Sequence, residues 1–239
     1  MKVFNGTTWA RNKGVAVDNW ERKMELMKKQ LKGKIVLDAG SGLGGKTKFF
    51  AKETKQIYGL EISKNDVEIA KSKNNNKNVQ FRVGNVEQMP YNDSFFDVVY
   101  SCWVIEHLEN PKIFLEECFR VLKPRGILIL WVPNIKNLTG IMIKLISLKL
   151  KTRMLSLLSK KPEKNVSHHI CHYRANSVKK LDKLLKEKFN RIFLERHDGP
   201  VYYEKYKSLT YLWYIRHKFT KNKFLDWLWP SFYVEYQKK

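Results

Sequence analysis

The chain has 239 residues, 43% of them hydrophobic, with three cysteines and a formal net charge of +23. That length suits one large α/β domain with a packed core; three scattered cysteines rule against a disulfide framework, and the lack of an uninterrupted apolar run of about 18 residues rules against a transmembrane helix. The charge is lopsided: residues 1–133 hold 22 Lys and Arg against 15 Asp and Glu, residues 134–239 hold 24 against 8, so the second half suits an anionic partner unless its lysines only solvate the surface.

In chain order, the opening "MKVFNGTTWARNKG" has no apolar signal core, and a cytoplasmic location is expected. Residues 17–31 place Trp20, Met24, Met27 and Leu31 at helical spacing, with Gly33 as the stop. "KIVLDAG" is a short apolar run ending in glycine, a buried strand, and "GGKTKFFAKE" restarts as a helix. "QIYGLEIS" is a second strand, with Ser63 as N-cap of a helix over 64–73. "VQFRVG", "FFDVVYS" and "GILILWVPN" supply three more strands. Between the last two, "NPKIFLEECFRVLKP" is a helix with proline at its start and Pro124 past its end. Strands alternating with helices predict βαβ units and a parallel sheet. After Pro133 the pattern changes. Residues 135–160 are helix-like and mix apolar with basic residues. Residues 176–189 form an amphipathic helix capped by Asn176 or Ser177, "RIFLERHD" is a strand, residues 202–229 are aromatic-rich, and "SFYVEYQ" alternates as a last strand.

The loop "DAGSGLGGKT" carries two nucleotide-binding patterns at once. Gly40, Gly45, Lys46 and Thr47 spell the P-loop G-x-x-x-x-G-K-T, while Gly40, Gly42 and Gly45 spell the dinucleotide fingerprint G-x-G-x-x-G. A P-loop needs a strand ending in Asp to hold Mg²⁺, and neither the fourth nor the fifth strand ends in one. A glycine turn after a strand admits a ligand close to backbone N–H groups, and Glu61 ends the second strand where an acid can take ribose hydroxyls. Asp38, just ahead of the glycines, repels a pyrophosphate but suits a cationic ligand. S-adenosylmethionine (SAM) has a ribose, a sulfonium and an ammonium, and no phosphate.

These residues resemble the class I SAM-dependent methyltransferases. "VLDAGSGLGG" is similar to their first motif and "GLEIS" to their second. The stretch from "VGNVEQMPYNDSFFDVVYSCWVIEHLENP" to "ILWVPN" resembles the rest of the core in the small-molecule branch (methyltransferase type 11, ubiquinone-biosynthesis-like). The likeness covers about residues 30–134. It implies a Rossmann-like α/β fold, a seven-stranded mostly parallel sheet with the last strand antiparallel, and a helical lid after strand 5. The organisation it implies is a single domain over 1–239: an N-terminal helical segment 1–33, a SAM-binding core 34–134, a lid insertion 135–175, and a C-terminal part 176–239 with a helix, a strand, the aromatic-rich segment and the closing strand. By the same resemblance Asp38, Gly40, Ser41 and Gly42 line the methionine end of SAM. Glu61 takes the ribose hydroxyls, Ile62 and Val86 flank adenine, Asn85 replaces the usual Asp at the adenine amine, and Ser101 lies where cofactor and substrate meet.

Methyl transfer to a hydroxyl wants a base, most often His. His107 in "EHLEN" and His169 and His172 in "SHHICHY" are the candidates. The spacing of His168, His169, Cys171 and His172 matches no standard zinc pattern, so no metal is expected. The fourth strand is followed by "SCWV" rather than the N/D-P-P-Y/F of nucleic-acid amino methyltransferases. The basic stretch 135–160 and thirteen aromatic residues over 202–236 suit the inner face of an anionic membrane and a small or lipid-linked acceptor, such as a quinone precursor or a lipid-carried sugar. The alternatives are a tRNA methyltransferase that grips RNA with the same half, and a SAM-binding protein without catalysis.

Overall fold

Seven strands form one sheet in the computed structural model, which describes residues 20–134, 170–197, 211 and 231–239. They are β1 Ile35–Ala39, β2 Gln56–Glu61, β3 Val79–Val83, β4 Phe96–Cys102, β5 Leu122–Pro133, β6 Phe189–His197 and β7 Ser231–Lys238. Their order is β3-β2-β1-β4-β5-β7-β6, with β1 to β5 parallel and the last strand antiparallel. The connecting helices are α1 Trp20–Leu31, α2 Gly45–Phe50, α3 Lys64–Ser72, α4 Pro111–Val121 and α5 Val178–Leu185. The strand order reverses between β1 and β4, and in open α/β sheets the crevice at the carboxyl ends of such strands is where ligands bind.

The chain separates into two compact units. One, residues 21–132, 172–195 and 233–239, carries the sheet; the other, residues 1–20, 133–171 and 196–232, lies mostly outside the described residues. Of the lid expected over 135–175, residues 135–169 lie outside the described residues, as do those of the aromatic-rich segment 202–229 other than Tyr211.

The helical spacing read in α1 is what packs it. Met24, Met27 and Leu31 are buried with Val36 of β1, Ile57 of β2, Val98 and Tyr100 of β4 and Phe50 of α2. Ser63 caps α3, its hydroxyl accepting the Asp66 N–H at 3.3 Å. Of the two candidate caps for α5, Ser177 takes the role through the Lys180 N–H at 3.3 Å. Pro111 opens α4, where its missing N–H costs nothing.

Boundaries differ from the sequence reading in two places: the helix expected over 176–189 is α5 Val178–Leu185, with Phe189 opening β6, and the start of β5 shifts. Pro124 was expected to lie between helix and strand, yet β5 starts at Leu122 and contains it. Phe96 pairs with Leu122 and Val98 already pairs with Ile127, so a bulge holds the residues between. Arg125 there has φ 62°. A bulge frees proline from the ladder bond that it cannot make.

Arg120 at the end of α4 pins the loop between β3 and β4. Its guanidinium donates to the carbonyls of Met89 and Tyr91 (2.9 and 2.8 Å) and to Asp93 and Glu117 (2.7 Å each), while Glu117 accepts the Met89 N–H at 2.6 Å. A fork of five donors fits this geometry and an ammonium does not. Arg120→Met is expected to cost about 2–3 kcal/mol, a fall in Tm of roughly 4–12 °C, with the far-ultraviolet spectrum unchanged; thermal denaturation checks it.

Candidate functional site

β1 ends in an acid that folding places out of water. Asp38 is 2% exposed and pairs in register with Gly59 of β2 and Tyr100 of β4. A carboxylate there needs donors. Thr47, in the first turn of α2, gives its hydroxyl proton to Asp38 Oδ2 at 2.6 Å. Burial pushes the Asp38 carboxyl above its usual range, while the hydroxyls of Thr47 and Tyr100 and the charge of Lys46 pull it back. Thr47 is thus engaged with Asp38, which counts against the P-loop reading of Gly45-Lys46-Thr47.

Between Asp38 and α2 the chain turns through Gly40, Gly42 and Gly44, at φ 83°, 50° and 73°. Gly40 cannot be replaced: a Cβ there would lie 2.3 Å from Val104 Cγ2, so the turn after β4 leans directly on the glycine loop. The backbone N–H groups of Gly40 and Ser41 both donate to the Leu60 carbonyl (2.8 and 3.0 Å), holding the loop on β2. Its far side is set by Glu61. Glu61 Oε2 accepts the Gly42 N–H at 2.9 Å and Oε1 accepts the Ser63 N–H at 3.1 Å. Each oxygen keeps a lone pair, enough for the two hydroxyls of a ribose.

Ile62, next in sequence, is 70% exposed, an apolar wall beside that carboxylate. Val86 is buried after β3. Asn85 is exposed, and its Oδ1 accepts the Glu87 N–H at 2.8 Å. This bond engages Oδ1, and the Asn85 amide also carries an NH₂ donor that an Asp lacks. Ser101 is buried in β4 and gives its hydroxyl proton to the Ala39 carbonyl at 2.9 Å. It braces the end of β1. These residues fit SAM: a recessed acid for the cationic end, a cradle that a Cβ would fill, a two-oxygen acceptor and an apolar wall.

Trp103 follows β4 at φ 61°, a conformation that bulky residues rarely take and that marks functional sites. Its ring lies 5.8 Å from that of Trp131, and its N–H donates to the Trp131 carbonyl at 3.0 Å. The Lys23 ammonium sits 4.1 Å from the Trp131 ring centre. Cys102 is buried between, its thiol pushed up to about 12 by burial. It is a wall, as a thiol with so high a pKa is no nucleophile.

Of the predicted bases, His107 lies half-buried on the 3-10 turn Ile105–His107. His172 comes to the same turn from the other side: its N–H donates to the Glu106 carbonyl at 2.7 Å, and its Nε2 is 3.8 Å from Glu109. His169, like His168, lies outside the described residues. The residue missed in the sequence is Glu106. It is 4% exposed, and burial pushes its carboxyl up to about 7 against the pull of its own backbone and of His107. The signal in the sequence is only that Glu106 adjoins His107 just after the fourth strand. Because the folded state holds this proton more tightly than the unfolded chain, stability falls as pH rises from about 4.5 to about 7. Glu106→Gln removes that loss. Thermal melts at pH 5 and pH 8 are expected to show the variant gaining on wild type by about 2–3 kcal/mol at the higher pH.

Residues 37–130 match the family model described as "Methyltransferase domain". Among curated proteins, a probable S-adenosylmethionine-dependent methyltransferase of Mycolicibacterium smegmatis is 34% identical over 51% of this chain and 48% of its own. A ubiquinone/menaquinone biosynthesis C-methyltransferase of Hydrogenovibrio crunogenus is 34% identical over 39% of this chain and 40% of its own. The chain thus spans about half, or less, of the length of these relatives. Among solved structures, a putative S-adenosylmethionine-dependent methyltransferase from Listeria monocytogenes superposes over 92% of this chain and 96% of its own, at a TM-score of 0.61 and 15% identity, which shows the fold.

Proposed function

We propose, from the premise that residues 37–130 form a class I SAM-dependent methyltransferase domain, that this protein moves the methyl group of SAM to a hydroxyl of a small or lipid-linked, planar acceptor. SAM, when bound, supplies an electrophilic methyl on a cationic sulfur. The chain's own residues do the rest by placement. Asp38 offers a fixed negative charge to the cationic end, Glu61 fixes the ribose and at the same time the glycine turn, and Ile62 and Val86 flank a flat base.

The observation that carries the acceptor class is the Trp103–Trp131 pair at the ends of β4 and β5. Trp103 is partly exposed and is backed by the buried Trp131 and Cys102, an apolar, aromatic surface against which a ring can stack. The bulk charge of +23 supports an anionic membrane surface as the place where such an acceptor is met; no helix among the described residues is long and apolar enough to cross a membrane. His107, His169 and His172 remain candidates for the proton transfer that a hydroxyl acceptor requires.

Calorimetry with SAM on wild type and Glu61→Ala comes first. Micromolar binding, weakened ten- to a hundred-fold in the variant, is the expected outcome, since hydrogen bonds to a charged group contribute about 1.5–3 kcal/mol. Methyl-labelled SAM is then offered with a total lipid extract and with total tRNA in parallel. Label in the solvent-extracted fraction supports the proposal; label that ribonuclease releases replaces it with RNA methylation; failure of wild type to bind SAM overturns both.

A further inference from the structure

A buried carboxylate ordinarily finds a partner, because an isolated one costs several kcal/mol. Glu106 does not. Its Oε2 is shielded from solvent and meets no hydrogen-bond donor. The main chain around it is nevertheless held firmly. Its own carbonyl accepts two N–H groups, from His172 at 2.7 Å and Tyr173 at 3.0 Å, and the His107 N–H closes the turn on the Val104 carbonyl at 2.9 Å. Three hydrogen bonds thus fix the backbone of this turn, while one carboxylate oxygen of Glu106 is left unsatisfied.

The turn also has a definite place. It follows β4 at the carboxyl edge of the sheet, and Val104 rests on Gly40 so closely that no Cβ fits between them. The charges of Glu106, of Asp38 on β1, of Lys46 on α2 and of Lys23 on α1 all act on the Cys102 thiol at the end of β4. His107 on the same turn acts on Glu106 itself, and His172 and Glu109 flank the turn. Two acids, Asp38 and Glu106, therefore bracket the tip of β4, and only Asp38 has a side-chain hydroxyl donating to it.

Resting on the methyl-transfer reading above, we propose that Glu106 faces the transferable methyl group and takes the proton of the acceptor hydroxyl, in place of His107, His169 or His172. The missing partner of Oε2 is then supplied by the reaction: first the positive field of the sulfonium, then the acceptor's O–H. In the step, the acceptor oxygen forms a bond to the methyl carbon while the carbon–sulfur bond breaks and its electron pair stays on sulfur. The hydroxyl proton passes to Glu106. One cation, one carboxylate and one alcohol become a neutral thioether, a carboxylic acid and a methyl ether, so charge and atoms balance. An acid whose affinity for protons sits near the working pH suits this duty, and burial gives Glu106 that affinity.

The test needs no acceptor. A sulfonium beside Glu106 lowers its proton affinity, so binding SAM near pH 7 expels a proton, whereas S-adenosylhomocysteine, with a neutral sulfur, does not. Titration calorimetry in PIPES and in Tris, whose ionisation enthalpies differ, counts protons released. Wild type is expected to release a few tenths of a proton more than Glu106→Gln on binding SAM, and the two proteins to behave alike with S-adenosylhomocysteine. Equal release by both proteins with SAM overturns the assignment of Glu106. Absence of SAM binding to wild type instead overturns the methyltransferase reading on which it rests. Should Glu106→Gln fail to fold, the wild-type pH profile decides: release that rises toward pH 6–7 and fades below pH 5 supports Glu106, and a flat profile refutes it.

Discussion

The hydrogen bond from Thr47 to Asp38 is the interaction on which the site depends. It joins the last turn of a central strand to the first turn of the next helix across nine residues, and so fixes where the glycine loop can run. With both ends held, the loop has one route, through three residues of positive φ. Glu61 then closes it from β2 by accepting the Gly42 N–H. Asp38 and Glu61 brace the scaffold with the same carboxylates that the proposed SAM site uses. That economy explains why a carboxylate is tolerated at full burial: its hydroxyl donor stabilises the charge before any ligand arrives.

Around this point the sheet contributes rigidity and little else. Ser101 ties β4 to the end of β1, and the Leu60 carbonyl takes two N–H groups from the loop. Aromatic residues Tyr58, Tyr91, Phe95 and Phe96 pack edge to face, well packed and without polar chemistry. Chemistry is confined to the strand tips, where main-chain groups run out of partners.

How much of this was legible in the sequence follows from what each feature depends on. The strand Ile35–Ala39 and its glycine turn could be read because apolar run, acid and glycines are adjacent in the chain. The same holds for the Ser63 cap and for the α1 stripe of Met24, Met27 and Leu31. The Thr47–Asp38 bond could not be read, since it requires knowing the helical phase at which α2 leaves the turn. Pro124 reads as a boundary because proline cannot make the ladder bond. The bulge that admits it is a property of the β4–β5 pairing, not of the local sequence. Glu106 was overlooked for a related reason: whether an acid is solvated or buried depends on what covers it, while a histidine invites attention by its intrinsic proton affinity alone. The amide orientation of Asn85 is set by the Glu87 N–H, which sequence does not reveal.

The position of β7 carries a consequence for how the molecule is made. Ser231–Lys238 are almost fully buried and lie between β5 and β6 in the sheet, yet they follow β6 by more than thirty residues in the chain. During synthesis, at about 5–20 residues per second, the facing edges of β5 and β6 must wait seconds for the strand that separates them. Until then β5 presents Leu128, Leu130 and Trp131 on a strand with one open edge, a template for joining the same strand of another nascent copy. The Lys238 ammonium, which reaches the carbonyls of Phe119 and Leu122 at 2.6 Å each, is among the last contacts to form, and it latches the helix–strand junction from which that waiting edge begins.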